Sequence, residues 1–173
     1  MNSTIFTNGL RFIGLLFLQV IVFKSVSVGG ESFNYVHILL YPIFIILLPI
    51  RIPHALLIFL AFLLGLSLDV FYDSLGVHAG ASVFTAFIRP FVLASLEPRG
   101  GYGVNMSPTK FRFGFNFFFT YAAIMFFCHL LVYFSLEIFT PVYIGNIFLS
   151  TVFSFLVTMV FVIMYQFLFN PRD

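Results

Sequence analysis

Six apolar stretches dominate this sequence, at residues 10–26, 34–50, 54–71, 78–96, 115–139 and 145–169. A helix needs about 20 mostly apolar residues to cross the roughly 30 Å hydrocarbon core of a bilayer. Each stretch approaches that length, and none shows the period-two alternation of a membrane β-barrel. Composition points the same way. Hydrophobic residues make up 61% of the chain and charged residues 8%, where a soluble domain carries about 25% charged residues. So little polar surface cannot cover a water-soluble globule. The chain therefore reads as a single polytopic, all-α membrane domain over residues 1–173, with six transmembrane helices. Turn-forming residues separate the spans: Gly29-Gly30, Pro49 and Pro53, Gly76, Pro98 with Gly100-Gly101, and Pro141 with Gly145.

The first stretch imitates a signal peptide, with Arg11 before it and Ser25-Val26-Ser27 as a cleavage-like site. Lys24 interrupts that site and the run is long enough to span, so a membrane span is expected. A net charge of +2 is too small to imply a nucleic-acid partner. The single cysteine, Cys128, excludes an intrachain disulfide.

Basic residues set the orientation. With a cytoplasmic N-terminus, Arg11, Arg51, Arg99, Lys110, Arg112 and Arg172 all fall inside and only Lys24 falls outside. Glu31, Asp69, Asp73 and Glu137 lie at or near the outer side, and Glu97 and Asp173 inside. Both termini are then expected in the cytoplasm.

Fourteen uncharged residues, 55–68, lead to two acids four positions apart, Asp69 and Asp73. Asp69 lies about 22 Å along the third span and about 8 Å short of the outer edge of the apolar core. Such an acid needs a partner, and Arg89 on the fourth span is one candidate, its long side chain reaching up towards Asp69. The other reading of Arg89 is a short fourth span that ends near Pro90, with Arg89 at the cytoplasmic interface. Pro90 frees the carbonyl of Ala86 and predicts a kink there, as Pro42 does in span two. Gly65, Ser67, Gly76, Ala79, Gly80, Ala81, Ser82, Ala86 and Ala94 concentrate on spans three and four. Small residues let helices approach closely in lipid, so these spans should form the tight centre of the bundle. Gln19 and His129 read as interhelical hydrogen-bonding groups.

No catalytic constellation emerges. The four histidines show no paired spacing, so no metal site is expected. Gly65-Leu66-Ser67-Leu68 matches the nucleophile signature of rhomboid-like intramembrane proteases, yet only His129 could serve as its base. The loop over residues 97–113 offers one acid, Glu97, too little to hold a metal diphosphate, and lacks a phosphate-loop pattern. It reads as a flexible linker. No cofactor is expected.

The run from Gly65 to Gly103, GLSLDVFYDSLGVHAGASVFTAFIRPFVLASLEPRGGYG, resembles MreD, the rod-shape-determining membrane protein family, in its Bacteroidetes form. Gly65, Asp69, Asp73, Leu75, Gly76, His78 and Ala79 match the family pattern. Arg89-Pro90 and Pro98-Arg99-Gly100-Gly101-Tyr102 resemble the Bacteroidetes version. The resemblance covers about 40 residues. It implies a non-catalytic component of the cell-elongation complex in the bacterial inner membrane, working with MreC and associated with MreB, RodA and the elongation transpeptidase. It also implies a fold similar to the substrate-binding subunits of energy-coupling-factor transporters. Partner contacts are then expected on the span three–four side, around Ala79–Ala86, and in the loop through Arg99, Lys110 and Arg112. The competing reading is a small-molecule-binding membrane subunit of a transporter, with Asp69, His129 and Arg89 lining a pocket open to the outside. Cavity shape separates the two: a sealed bundle favours a scaffold, and a deep polar outer pocket favours ligand capture.

Overall fold

The computed structural model describes residues 2–27, 35–103 and 106–169. Glu31, Gly29-Gly30, Asn34, Arg172 and Asp173 lie outside the described residues. Every regular element among the described residues is helical. Helix α1 (Asn2–Phe17) runs through a π-helical stretch (Leu18–Phe23) into α2 (Lys24–Ser27). A five-residue helix, α3 (Ile43–Leu47), precedes the long α4 (His54–Tyr72) and α5 (Val77–Ser95). Then come the short α6 (Lys110–Phe113), α7 (Phe115–Ile138), a 3-10 turn (Pro141–Tyr143) and α8 (Ile144–Phe169).

Five helices are long and apolar enough to cross a membrane: Phe6–Val26, His54–Tyr72, Val77–Ser95, Phe115–Ile138 and Ile144–Phe169. The second apolar stretch departs from expectation. Among its described residues only α3 is helical, and Val36–Leu40 have no regular structure. Pro42 is therefore not a kink inside a spanning helix but the N-cap of α3. Proline lacks the N–H that a helix interior needs and pushes the residue before it towards extended backbone, so the helix starts only after it.

Every residue from Ile38 to Leu48 is buried. Non-helical backbone at membrane depth is tolerated only where protein satisfies its polar groups, and here side chains do so. Gln19 Nε2 donates to the Ile38 carbonyl (2.9 Å) and to Tyr72 Oη (3.1 Å). Its Oε1 accepts from the N–H of Leu40 (2.9 Å) and of Tyr41 (3.4 Å). All four hydrogen-bonding positions of the amide are thereby filled. From the other side, the N–H of His37 donates to Ser154 Oγ (2.9 Å) and that of Leu39 to Thr158 Oγ1 (3.4 Å). The segment thus descends beside α8 and, at Ile46, reaches Tyr121 near the start of α7 (3.3 Å). Replacing Gln19 with leucine should cost about 1–3 kcal/mol for each backbone group left unpaired. Unfolding in mixed detergent micelles measures this, and an unchanged midpoint would count against a supporting role for Gln19.

The charges segregate as helix directions alternate. Arg51 precedes α4, Arg99 follows α5, and Lys110 and Arg112 precede α7. Arg11 shares this basic end, hydrogen-bonded to Asn8 (3.1 Å) and near Tyr165 towards the end of α8. At the opposite end Lys24 Nζ donates to the Phe71 carbonyl, close to Asp69 and Asp73.

Candidate functional site

The two acids of the α4–α5 corner have different roles. Asp73 is exposed and takes the left-handed conformation (φ 53°) that closes α4, its N–H returning to the Asp69 carbonyl. Asp and Asn tolerate that conformation better than most residues. Gly76 (φ 84°) then serves as N-cap of α5 without a side chain to offer.

Asp69 makes up for that from the preceding helix. The first N–H groups of any helix have no partner inside it. The N–H of His78 donates to Asp69 Oδ1 (2.9 Å) and that of Ala79 to Oδ2 (2.9 Å). Ser74 Oγ donates to Oδ1, and His78 Nδ1 lies 2.9 Å from the same oxygen. The carboxylate is 4% exposed. Four hydrogen bonds and the positive end of α5 make an acid tolerable there. Gly65 allows the approach: a Cβ added to it would stand 2.5 Å from both Ala79 Cα and the His78 carbonyl. Gly65 and Ala79 therefore make the close helix contact expected of the small residues on these two spans.

The expected Asp69–Arg89 pair does not form. Arg89 lies twelve residues into α5, roughly 18 Å from its start. Its Nε donates to Tyr121 Oη (3.0 Å), and Nη2 donates to the carbonyl of Leu48. Longer contacts reach the carbonyls of Pro49 (3.4 Å) and Ile46 (3.5 Å). The last carbonyls of a helix lack internal partners and carry negative partial charge, so Arg89 closes α3 as Asp69 opens α5. Pro90 does not end the span, since α5 continues to Ser95.

His78, Ser82, Thr85 and Arg89, spaced four, three and four residues apart, are all buried on α5. Thr85 Oγ1 lies 2.7 Å from His129 Nδ1, and His129 Nε2 lies 2.8 Å from Tyr41 Oη. His129 thus ties α7 to α5 and to the turn at Tyr41, a hydrogen-bonding group between elements as Gln19 is. The rings of Tyr41, Tyr72 and Tyr133 surround His78 at 5.7, 4.7 and 5.0 Å between centroids. Sequence reasoning took Ser82 only as a small residue and passed over Thr85. The signal was there, as a polar stripe of helical period within an apolar span. The matching groups on α8, Ser154 and Thr158, carry the same four-residue spacing.

Ser67 donates to the Leu63 carbonyl (2.7 Å), and both ring nitrogens of His129 are engaged with Tyr41 and Thr85, so the two are not brought together. Among the described residues no three of His, Cys, Asp and Glu converge as a metal would require. Ala79, Ala81 and Ala86 are buried and offer no surface to a partner. The outward ridge of these helices is instead aromatic and aliphatic: Phe59, Phe62 and Leu66 on α4, and Phe84, Phe87 and Phe91 on α5.

The loop after α5 is more than a linker in its described residues. Tyr102 Oη donates to the Leu93 carbonyl (2.7 Å), Arg51 Nη2 to the Tyr102 carbonyl (3.3 Å), and the Ile50 N–H to the Met106 carbonyl (2.8 Å). Lys110 Nζ sits 3.5 Å from the centre of the Phe167 ring, while Arg99 and Arg112 are exposed. Burial, with the Glu97 carboxylate nearby, pushes the Tyr102 hydroxyl from 10.0 up to about 12. A pKa raised on folding adds stability that is present below pH ~10 and lost as the pH rises through the folded value. Tyr102→Phe should cost about 0.5–1.5 kcal/mol at neutral pH. Wild type should also lose stability relative to that variant between about pH 10 and 12. Parallel alkaline unfolding of the two proteins tests this, and parallel curves would refute it.

Compared with protein-family models, with curated proteins and with solved structures, the chain matches none.

Proposed function

We propose that this chain is a non-catalytic, MreD-like component of the bacterial cell-elongation complex. In this reading it lies in the inner membrane, binds the transmembrane part of an MreC-like protein and supports peptidoglycan synthesis and cell shape. The resemblance of the Gly65–Gly103 run supplies the family. The observation that carries the reading is the sealed polar centre. Asp69, His78, Ser82, Thr85 and His129 are all buried, and the Asp69 carboxylate, Thr85 Oγ1 and both ring nitrogens of His129 hold one element of the bundle to another. Such a centre favours a scaffold over a subunit that captures a small molecule from outside.

The segment over residues 35–50 serves as the sixth crossing in this proposal, with the five-residue α3 inside it. An even number of crossings puts both termini on the basic, cytoplasmic side. The likeness to energy-coupling-factor substrate-binding subunits belongs to the same proposal and rests on the resemblance alone.

The docking face is the aromatic ridge of α4 and α5. Cysteines introduced at Phe84, Phe87 and Phe91, with Cys128 replaced by serine, should crosslink to the MreC-like protein in cells, and depletion of the chain should round the cells. Crosslinks confined to Phe153, Leu156 and Val160 on α8 would move the partner to the other side. Normal rod shape after depletion would overturn the functional reading.

A further inference from the structure

Arg89 is 1% exposed, and its described partners are a tyrosine hydroxyl and backbone carbonyls, all neutral. The buried carboxylate of Asp69 lies against His78 instead, at the other end of α5. A charge at membrane depth costs several kcal/mol unless something opposes it. The end of a helix contributes about half an elementary charge at most, and α3 is only five residues long. A cation is left incompletely compensated.

That cation borders a cleft. Between the start of α4 and the last turns of α5 lies a space of about 360 Å³, lined by Arg89, His54, Ile50, Ile52, Leu57 and Leu93 among others. Small-ligand sites occupy roughly 300–1,000 Å³. His54, one of the lining residues, is exposed, and the exposed Arg51 stands in sequence between two others, Ile50 and Ile52. Among the described residues no Asp or Glu lines it. Cationic groups with apolar walls at the basic end of the bundle complement an anionic amphiphile. We propose that this cleft binds a phosphate-bearing anion, with the phosphate drawn to Arg89, His54 and Arg51. An anionic phospholipid of the adjoining leaflet supplies that phosphate together with acyl chains to lie along Ile52 and Leu57. This proposal does not depend on the MreD-like reading.

Detergent-purified protein is mixed with phosphatidylglycerol, with phosphatidylcholine, or with inorganic phosphate. Native mass spectrometry counts retained lipid, and thermal unfolding reports stabilisation. Wild type should retain phosphatidylglycerol about tenfold better than phosphatidylcholine, a difference of about 1.4 kcal/mol. Arg89→Gln should abolish the preference but also removes hydrogen bonds of the fold. Ile52→Phe fills the cleft and leaves those bonds in place, so it is the decisive variant, with an expected loss of about tenfold in retention. Stabilisation by inorganic phosphate alone, lost in Ile52→Phe, would uphold the anion site and assign it a soluble ligand. Equal retention of the two lipids without an effect of phosphate would overturn the proposal, as would an Ile52→Phe variant that binds like wild type.

Discussion

Asp69→Ala is expected to lose about 3–5 kcal/mol of stability, the cost of breaking a buried charge network from one side. The carboxylate accepts from two N–H groups of α5, from Ser74 and from His78. Alanine leaves the N–H groups of His78 and Ala79 without an acceptor in a buried corner, while Ser74 and His78, 3.0 Å apart, can still bond to each other. Asp69→Asn should fall between the two, because its amide nitrogen presents hydrogen towards donors. Asp73→Gly is the contrasting case: its carboxylate is exposed and its φ is 53°, a conformation that suits glycine. That variant should be neutral or slightly stabilising. Equilibrium unfolding in mixed micelles separates the two positions, and amide exchange at His78 and Ala79 should quicken in Asp69→Ala. A cost below about 1 kcal/mol, no more than an ordinary hydrogen bond, would show that the cap is not what holds the corner.

The five long helices were legible because each carries an apolar run bounded by glycine, proline or charge. The fate of residues 34–50 was not. Hydropathy measures how much a segment prefers lipid, not whether its backbone is helical. The decision rests on Gln19, Ser154 and Thr158, which come from sequence positions up to 119 residues away. Asp69 was legible as a costly acid but not in its pairing. Coulomb reasoning sought the nearest full charge and found Arg89. Two of the four actual partners are backbone N–H groups at a helix start, which no residue type announces. Arg89 likewise found carbonyls rather than an acid. In both cases the sequence showed a buried charge in need of partners but not which groups meet it, because peptide dipoles at helix ends are invisible to residue composition.

Gly65→Val is expected to separate α4 from α5 and to act largely through the same corner. A Cβ at this position would stand 2.5 Å from Ala79 Cα, 2.5 Å from the His78 carbonyl oxygen and 2.7 Å from the Ala79 nitrogen. These are backbone atoms of a helix, so no side chain can swing aside, and the helices must part. Overpacking of this kind costs about 1–3 kcal/mol, and sometimes more. Gly65→Ala should already show most of it. Because the crowded atoms belong to the residues whose N–H groups Asp69 holds, parting the helices lengthens those hydrogen bonds too. Combining Gly65→Ala with Asp69→Ala should therefore cost less than the sum of the single changes, by about 0.5–3 kcal/mol. Gly14 is the internal control. An added Cβ there meets nothing within 4 Å, so Gly14→Ala should gain up to about 1 kcal/mol from helix propensity alone. Additive costs at Gly65 and Asp69 would mean that close packing and the carboxylate cap hold the corner independently, and that a partner could disturb one without the other.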